Sequence, residues 1–157
     1  MSSLRKEIEA KVLAKLRGIL GAKASVTGFL ESVAAGTVKN VAAGKPEVRV
    51  TVAPGQAGGW GLPEMEFAVS VNVRLDLEDD ATQALFDEVC EPIESLVLSW
   101  QLDRNWLGVS EDLGVPGFRI DGFRAGGGSD SISLTSTDPY VSTNFMFTLQ
   151  GTILQTT

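Results

Sequence analysis

From Met65 to Leu77 every odd position is apolar (Met65, Phe67, Val69, Val71, Val73, Leu75, Leu77), and every even position is polar or small (Glu66, Ala68, Ser70, Asn72, Arg74, Asp76). Side chains alternate across a strand with period two, so the pattern predicts one extended strand with a dry face and a wet face. At about 3.3 Å per residue it reaches on the order of 40 Å, twice the usual strand. A strand of that reach overhangs the core of a small domain, and an overhang calls for a partner.

Upstream, Leu4, Ile8, Val12, Leu13, Leu16, Ile19 and Leu20 recur at helical steps, with Arg5, Lys6, Glu9, Lys15 and Arg17 opposite. This predicts an amphipathic helix, capped by Ser2 or Ser3 and stopped at Gly18 or Gly21. Residues Ala24 to Pro46 are rich in Ala, Gly and Val without a clean period, and Phe29, Leu30 and Val33 suggest a short helix or strand there. Val48, Val50 and Val52 mark a strand from Glu47 to Ala53, joined to the long strand by a glycine- and proline-rich loop from Pro54 to Pro63. Asp79 or Asp80 then caps a second helix whose face is Leu85, Phe86, Val89, Ile93, Leu96, Val97 and Trp100. Pro92 lies inside it and predicts a kink or a break near Cys90 and Glu91.

The C-terminal third reads as a loop from Leu102 to Gly117, a strand from Phe118 to Arg124, a turn from Gly126 to Ser131, an ambiguous stretch to Tyr140, and a last strand centred on Phe145 to Ile153. Helix, two strands, helix, two strands is the order of an α+β fold. The expected architecture is a mostly antiparallel four-stranded sheet with two main helices packed on one face, in a single domain over residues 1–157.

Charge and cysteine content narrow the setting. The chain has a net charge of −7, but residues 1 to 23 hold six basic and two acidic side chains while the rest hold seven and eighteen. The acidic body argues against sequence-directed nucleic-acid binding and suits a surface that DNA slides past. Cys90 is the single cysteine, so no internal disulfide forms and a reducing compartment is expected. Residues Met1 to Leu20 alternate charged and apolar side chains, unlike a secretory signal, and no apolar run is long enough to span a bilayer, so a soluble protein is expected.

Catalytic equipment is sparse. The chain has no histidine, which removes the Ser-His-Asp and Cys-His nucleophile systems and the commonest general base. One cysteine cannot build a thiolate zinc site, and the clusters Gly58–Gly61 and Gly126–Gly128 lack the spacing of phosphate-binding loops. Ser3 to Lys6 spells SxxK without its partner motifs and reads as a helix cap followed by a solvated lysine. Asp76, Glu78 and Asp80 imitate the start of a calcium loop, but Ala81 stands where glycine is needed and Asp87 where a bidentate Glu belongs. Asp87, Glu91 and Glu94, with Glu88 beside them, form an acidic stripe that reads as a solvated helix face; a carboxylate-only enzyme is the rival. No catalytic residue, cofactor or metal is expected.

Large aromatics in loops point elsewhere. Trp100 belongs to the apolar face of the second helix, whereas Trp60 and Trp106 fall in predicted loops, where each either anchors an interface or folds back over its own domain. Trp60, Trp106, Met65 and Phe67 are the interface candidates.

The succession of a short N-terminal helix, the strand P-E-V-R-V-T-V, the long strand M-E-F-A-V-S-V-N-V-R-L-D-L, the acid-capped helix E-D-D-A-T-Q-A-L-F-D-E-V and the strand N-F-M-F-T-L-Q-G-T-I resembles the tail terminator proteins of long-tailed bacteriophages. The likeness covers most of the chain from Pro46 onward, while Ala24 to Gly44 and the glycines at Gly126 have no counterpart in it. It implies a small α+β subunit that forms a ring, usually hexameric, on the tail tube inside the virion, assembled in the host bacterial cytoplasm. Such a ring stops tube growth, contacts the tube protein and the head-completion or connector proteins, and lets DNA through its lumen without sequence-specific binding. Neighbouring neck, tail-completion or head-closure proteins are the alternative, and a monomeric ligand-binding or adaptor domain is a further rival.

Overall fold

Helix α1 (Leu4–Leu20) starts where Ser3 Oγ accepts the Lys6 amide at 3.2 Å and ends at Gly21, whose φ of 56° lies in the left-handed region. Its Ile8, Val12, Leu13, Leu16 and Leu20 are buried. The computed structural model describes residues 3–36, 46–57, 64–76, 82–126, 130–133 and 140–154. A 3-10 turn (Gly21–Lys23) leads to strand β1 (Ser25–Gly28) and helix α2 (Phe29–Ala35), followed by β2 (Glu47–Val52), β3 (Gln56–Ala57) and β4 (Glu64–Asp76). Helices α3 (Thr82–Leu102) and α4 (Leu107–Leu113) precede β5 (Phe118–Gly126), β6 (Asp130–Ser133) and β7 (Tyr140–Ile153).

The fold is α+β, with an order β1-β2-β4-β7-β5, β3 added beside β4 and β6 beside β7. Only the β1–β2 pairing is parallel among the described residues; the others are antiparallel. Seven strands and four α-helices among the described residues replace the expected four and two. The additions are short, and a window of two to seven residues holds too few apolar repeats to establish a period.

β4 runs opposite β7 along its whole length, from Glu64 facing Thr152 to Asp76 facing Tyr140. The long strand of 13 residues therefore has a partner of 14 in its own chain. Phe67, Val69, Val71, Val73 and Leu75 are all buried, in register with Val48, Val50 and Val52 of β2 and with Phe147 and Leu149 of β7. Helix α1 covers the β1–β2 side of this face and α3 the β4, β7 and β5 side. Strands β2 and β3 form one interrupted strand along β4, so the expected loop from Pro54 to Pro63 contains a short strand at Gln56–Ala57. Strands β5 and β6 do the same along β7.

Two helix expectations change. α3 continues through Pro92 without a break. The expected loop from Leu102 to Gly117 contains α4, which buries Val109 and Leu113 one turn apart. Asp103 Oδ2 accepts the Gly108 amide at 2.6 Å and so satisfies one of the first-turn donors of α4. The expected cap at Asp79 or Asp80 lies outside the described residues.

Candidate functional site

The interface candidates separate once placed in the fold. Phe67 is only 3% exposed and meets Phe118 edge-on at a centroid distance of 5.4 Å. Met65 is half-buried against the same core, and both side chains press on Gly55, where an added Cβ would stand 2.6 Å from Met65 Cε and 2.7 Å from the Phe67 ring. Glycine at 55 lets the chain between β2 and β3 lie flat on them. Phe67 thus packs within the subunit and offers no exposed area to a neighbour.

Trp106 also turns inward. It precedes α4 with φ 55°, the one described non-glycine residue with positive φ, and tilts against Phe123 at 6.4 Å. Trp100 is core, as its helical spacing predicts, and donates its indole N–H to Asp112 at 2.8 Å while Lys15 pairs with the same carboxylate at 3.1 Å. Trp60 lies outside the described residues, as do Asp79 and Asp80.

Glu9 sits on the buried side of α1, not opposite its apolar stripe as its charge suggests. Its carboxylate accepts the amides of Leu30 at 2.9 Å and Glu31 at 3.0 Å, the orphan donors at the start of α2. Gly28, the residue before α2, has no side chain with which to cap, and an added Cβ there would meet Glu9 Oε2 at 2.7 Å. One helix caps another. The angular position of Glu9 between Ile8, Val12 and Leu13 carries this signal, although its residue type points to solvent.

The opposite face of the sheet is wet and built largely from polar and charged side chains. Asn72 donates to Asn144 at 2.7 Å across β4 and β7, Gln150 reaches Glu66, and Arg74 stacks over the Tyr140 ring at 4.1 Å. At the bulge between Ile120 and Gly122, Asp121 accepts from Arg119 at 2.8 Å and from the Thr152 hydroxyl. Partial burial works to raise the Asp121 pKa, but the Thr152 and Arg119 hydrogen bonds and the Arg119 charge hold it below its ordinary value. The charges here are mutually paired: Arg49 with Glu47, Arg74 with Asp76, and Arg119 with Asp121.

Among the described residues no group of three or more Cys, Asp or Glu side chains is placed to hold a metal ion, and no buried side-chain nitrogen or oxygen lacks a hydrogen bond. The acidic stripe of Asp87, Glu88, Glu91 and Glu94 stands exposed on α3. No helix among the described residues is long and apolar enough to cross a membrane.

What remains conspicuous is apolar surface on the two flanks of the helical layer. Helix α2 leaves Phe29 45% and Val33 63% exposed beside β1. On the other flank a groove of about 360 Å³ runs between α3 and the ends of β5 and β7, lined by Val97, Leu98, Ala125 and Phe145 together with polar side chains that include Glu94 and Gln101, the latter accepting the Ala125 amide at 2.7 Å. No protein-family model matches the chain, and no curated protein matches it.

Proposed function

We propose that the chain is a structural virion subunit that assembles with its own copies into a ring, hexameric by the resemblance, at the end of a bacteriophage tail tube. There it stops tube growth and presents the surface to which head-completion or connector proteins join. The observation that supports this reading is the divergence of the two hairpins. The β3–β4 connection leaves the sheet beside Glu64 and Thr152, and the β6–β7 connection leaves it beside Asp76 and Tyr140, at the opposite end of the same strand pair. A cap requires two unlike axial surfaces, one that matches the last ring of the tube and one that does not repeat it, because a repeating head-to-tail contact continues the filament. Trp60, in the first connection, is the proposed anchor on a neighbouring subunit or on the tube. The acidic body suits a lumen that DNA crosses without sequence-specific binding.

The test is made on particles assembled without the protein. Tubes of abnormal, variable length that fail to join heads, and that are corrected by adding the purified chain, are the expected outcome. Normal tubes that join heads would sink the reading; tubes of normal length that fail to join would favour the neck, tail-completion or head-closure alternative. One observation favours a monomeric ligand-binding or adaptor domain instead: the dry face of β4 is covered by the chain's own helices. Mass measured in solution separates that reading from a ring.

A further inference from the structure

We infer that helix α2 of one copy seats in the groove between α3 and the β5–β7 edge of the next copy. The inference rests on the ring reading for the identity of its partner, a second copy of this chain, and names the surfaces that such a ring would use.

Helix α2, FLESVAA, has five apolar residues in seven and buries none of them within its own chain. Phe29 and Val33 lie four residues apart, so they share one face and project as a pair of anchors. The groove that matches them has Leu98 standing 54% exposed on its α3 wall and Leu102, one turn further, exposed beside it. Strands β1 and β5 are the two edges of the sheet, α2 packs on β1 and β2, and the groove lies over β5 and β7. A molecule therefore cannot place its own α2 in its own groove, and the fit has to be made between copies.

Charge points to the same pairing. Helix α1, which holds α2 through Glu9 and the Arg17–Glu31 pair at 2.8 Å, carries five basic and two acidic side chains, and one of those acids, Glu9, is turned inward. Lys6 and Arg17 border the space between α1 and α2. Helix α3 carries four acidic side chains and no basic one, with Glu94 among the residues that line the groove. Lys15 and Arg17 are paired within the chain with Asp112 and Glu31, so the flank is weakly basic by balance, and it meets an acidic flank across the contact, which favours the head-to-tail pairing over like flanks meeting. The two surfaces differ, so the contact is heterologous and closes into a ring when its rotation allows.

The test uses the full chain with Val33→Glu, which places a carboxylate on α2, and Leu98→Glu, which places one in the groove. Both positions are exposed, so melting followed by circular dichroism should match the wild type; Phe29→Glu and Leu102→Glu replace any variant that fails this check. In sedimentation velocity the wild-type chain should associate, while each variant alone should associate at least tenfold more weakly. An equimolar mixture of the two retains one intact α2 and one intact groove, and should form a heterodimer and nothing larger. Variants that assemble as the wild type does overturn this interface and leave the ring reading standing. A mixture that stays monomeric, or single variants that each form dimers, also overturns it. A wild-type chain that stays monomeric at every soluble concentration overturns both.

Discussion

Glu9 and Asp121 are both carboxylates fixed by local donors, and the difference between them lies in what the sequence discloses. Glu9 falls at an angle of α1 shared with Val12, Leu13 and Leu16, so the helical wheel places it inside, yet the residues it serves, Leu30 and Glu31, follow about twenty positions later and have no pattern linking them to it. Asp121 sits at a bulge, and bulges have no composition signature that would align it with Arg119 and Thr152. Its lowered pKa has a defined consequence for stability. The folded state prefers the ionised carboxylate, so the stabilisation is fully present above the ordinary carboxylate pKa of about 4 and is lost as pH falls through the lower folded value. Urea unfolding between pH 2.5 and 6 should show Asp121→Asn less stable than the wild type at the upper end, with a gap that closes as acid is added. A gap constant across that window would mean that Asp121 titrates alike in folded and unfolded chains.

Among the elements, α1, β2, β4, the body of α3, β5 and β7 were legible because each holds enough apolar repeats for its period to show. The short elements were not, since α2 and α4 are two turns long and their placement depends on Glu9 and Asp103 acting as caps from outside the helix. The dry face of β4 is legible in its alternation, whereas its length does not by itself call for another molecule, because β7 matches it residue for residue. Leu75 tests that face: it is buried, so Leu75→Ala should cost about 2 to 5 kcal/mol in denaturant unfolding, and a change under about 0.5 kcal/mol would contradict the packing. Pro92 tests α3. The helix runs through it although proline offers no amide to the carbonyl one turn back, so Pro92→Ala should stabilise the chain by about 1 to 3 kcal/mol. A loss of stability instead would show that packing of the proline ring outweighs the missing hydrogen bond.

At the scale of the whole molecule, the asymmetry of charge was visible in composition, but its orientation required the strand order that sets α1 and α3 over different parts of the sheet. If opposed flanks meet between copies, raising sodium chloride from about 0.05 to 0.5 M should weaken self-association measured by sedimentation, because exposed charges are screened at these concentrations. The melting temperature of the monomer should shift far less, since its core is apolar. Association that strengthens with salt would assign the contact to apolar burial alone. The sheet also has an approximate internal twofold: an interrupted strand, β2–β3 or β5–β6, runs beside each of two long central strands, and β4 and β7 are antiparallel. The two connections that end the hairpins are residues 58–63 and 134–139, equal in length and each closing on a proline, Pro63 and Pro139. Viewed as strand pairing alone, strands β2 to β7 read the same when turned end over end, and β1, parallel beside β2 with no counterpart beside β5 among the described residues, breaks the match. Apart from β1, polarity is therefore not inscribed in the hydrogen-bonded ladder. Within those strands, whatever distinguishes up from down has to be written in side chains, and the connecting sequences differ: GGWGLP contains an indole where LTSTDP contains hydroxyls and a carboxylate.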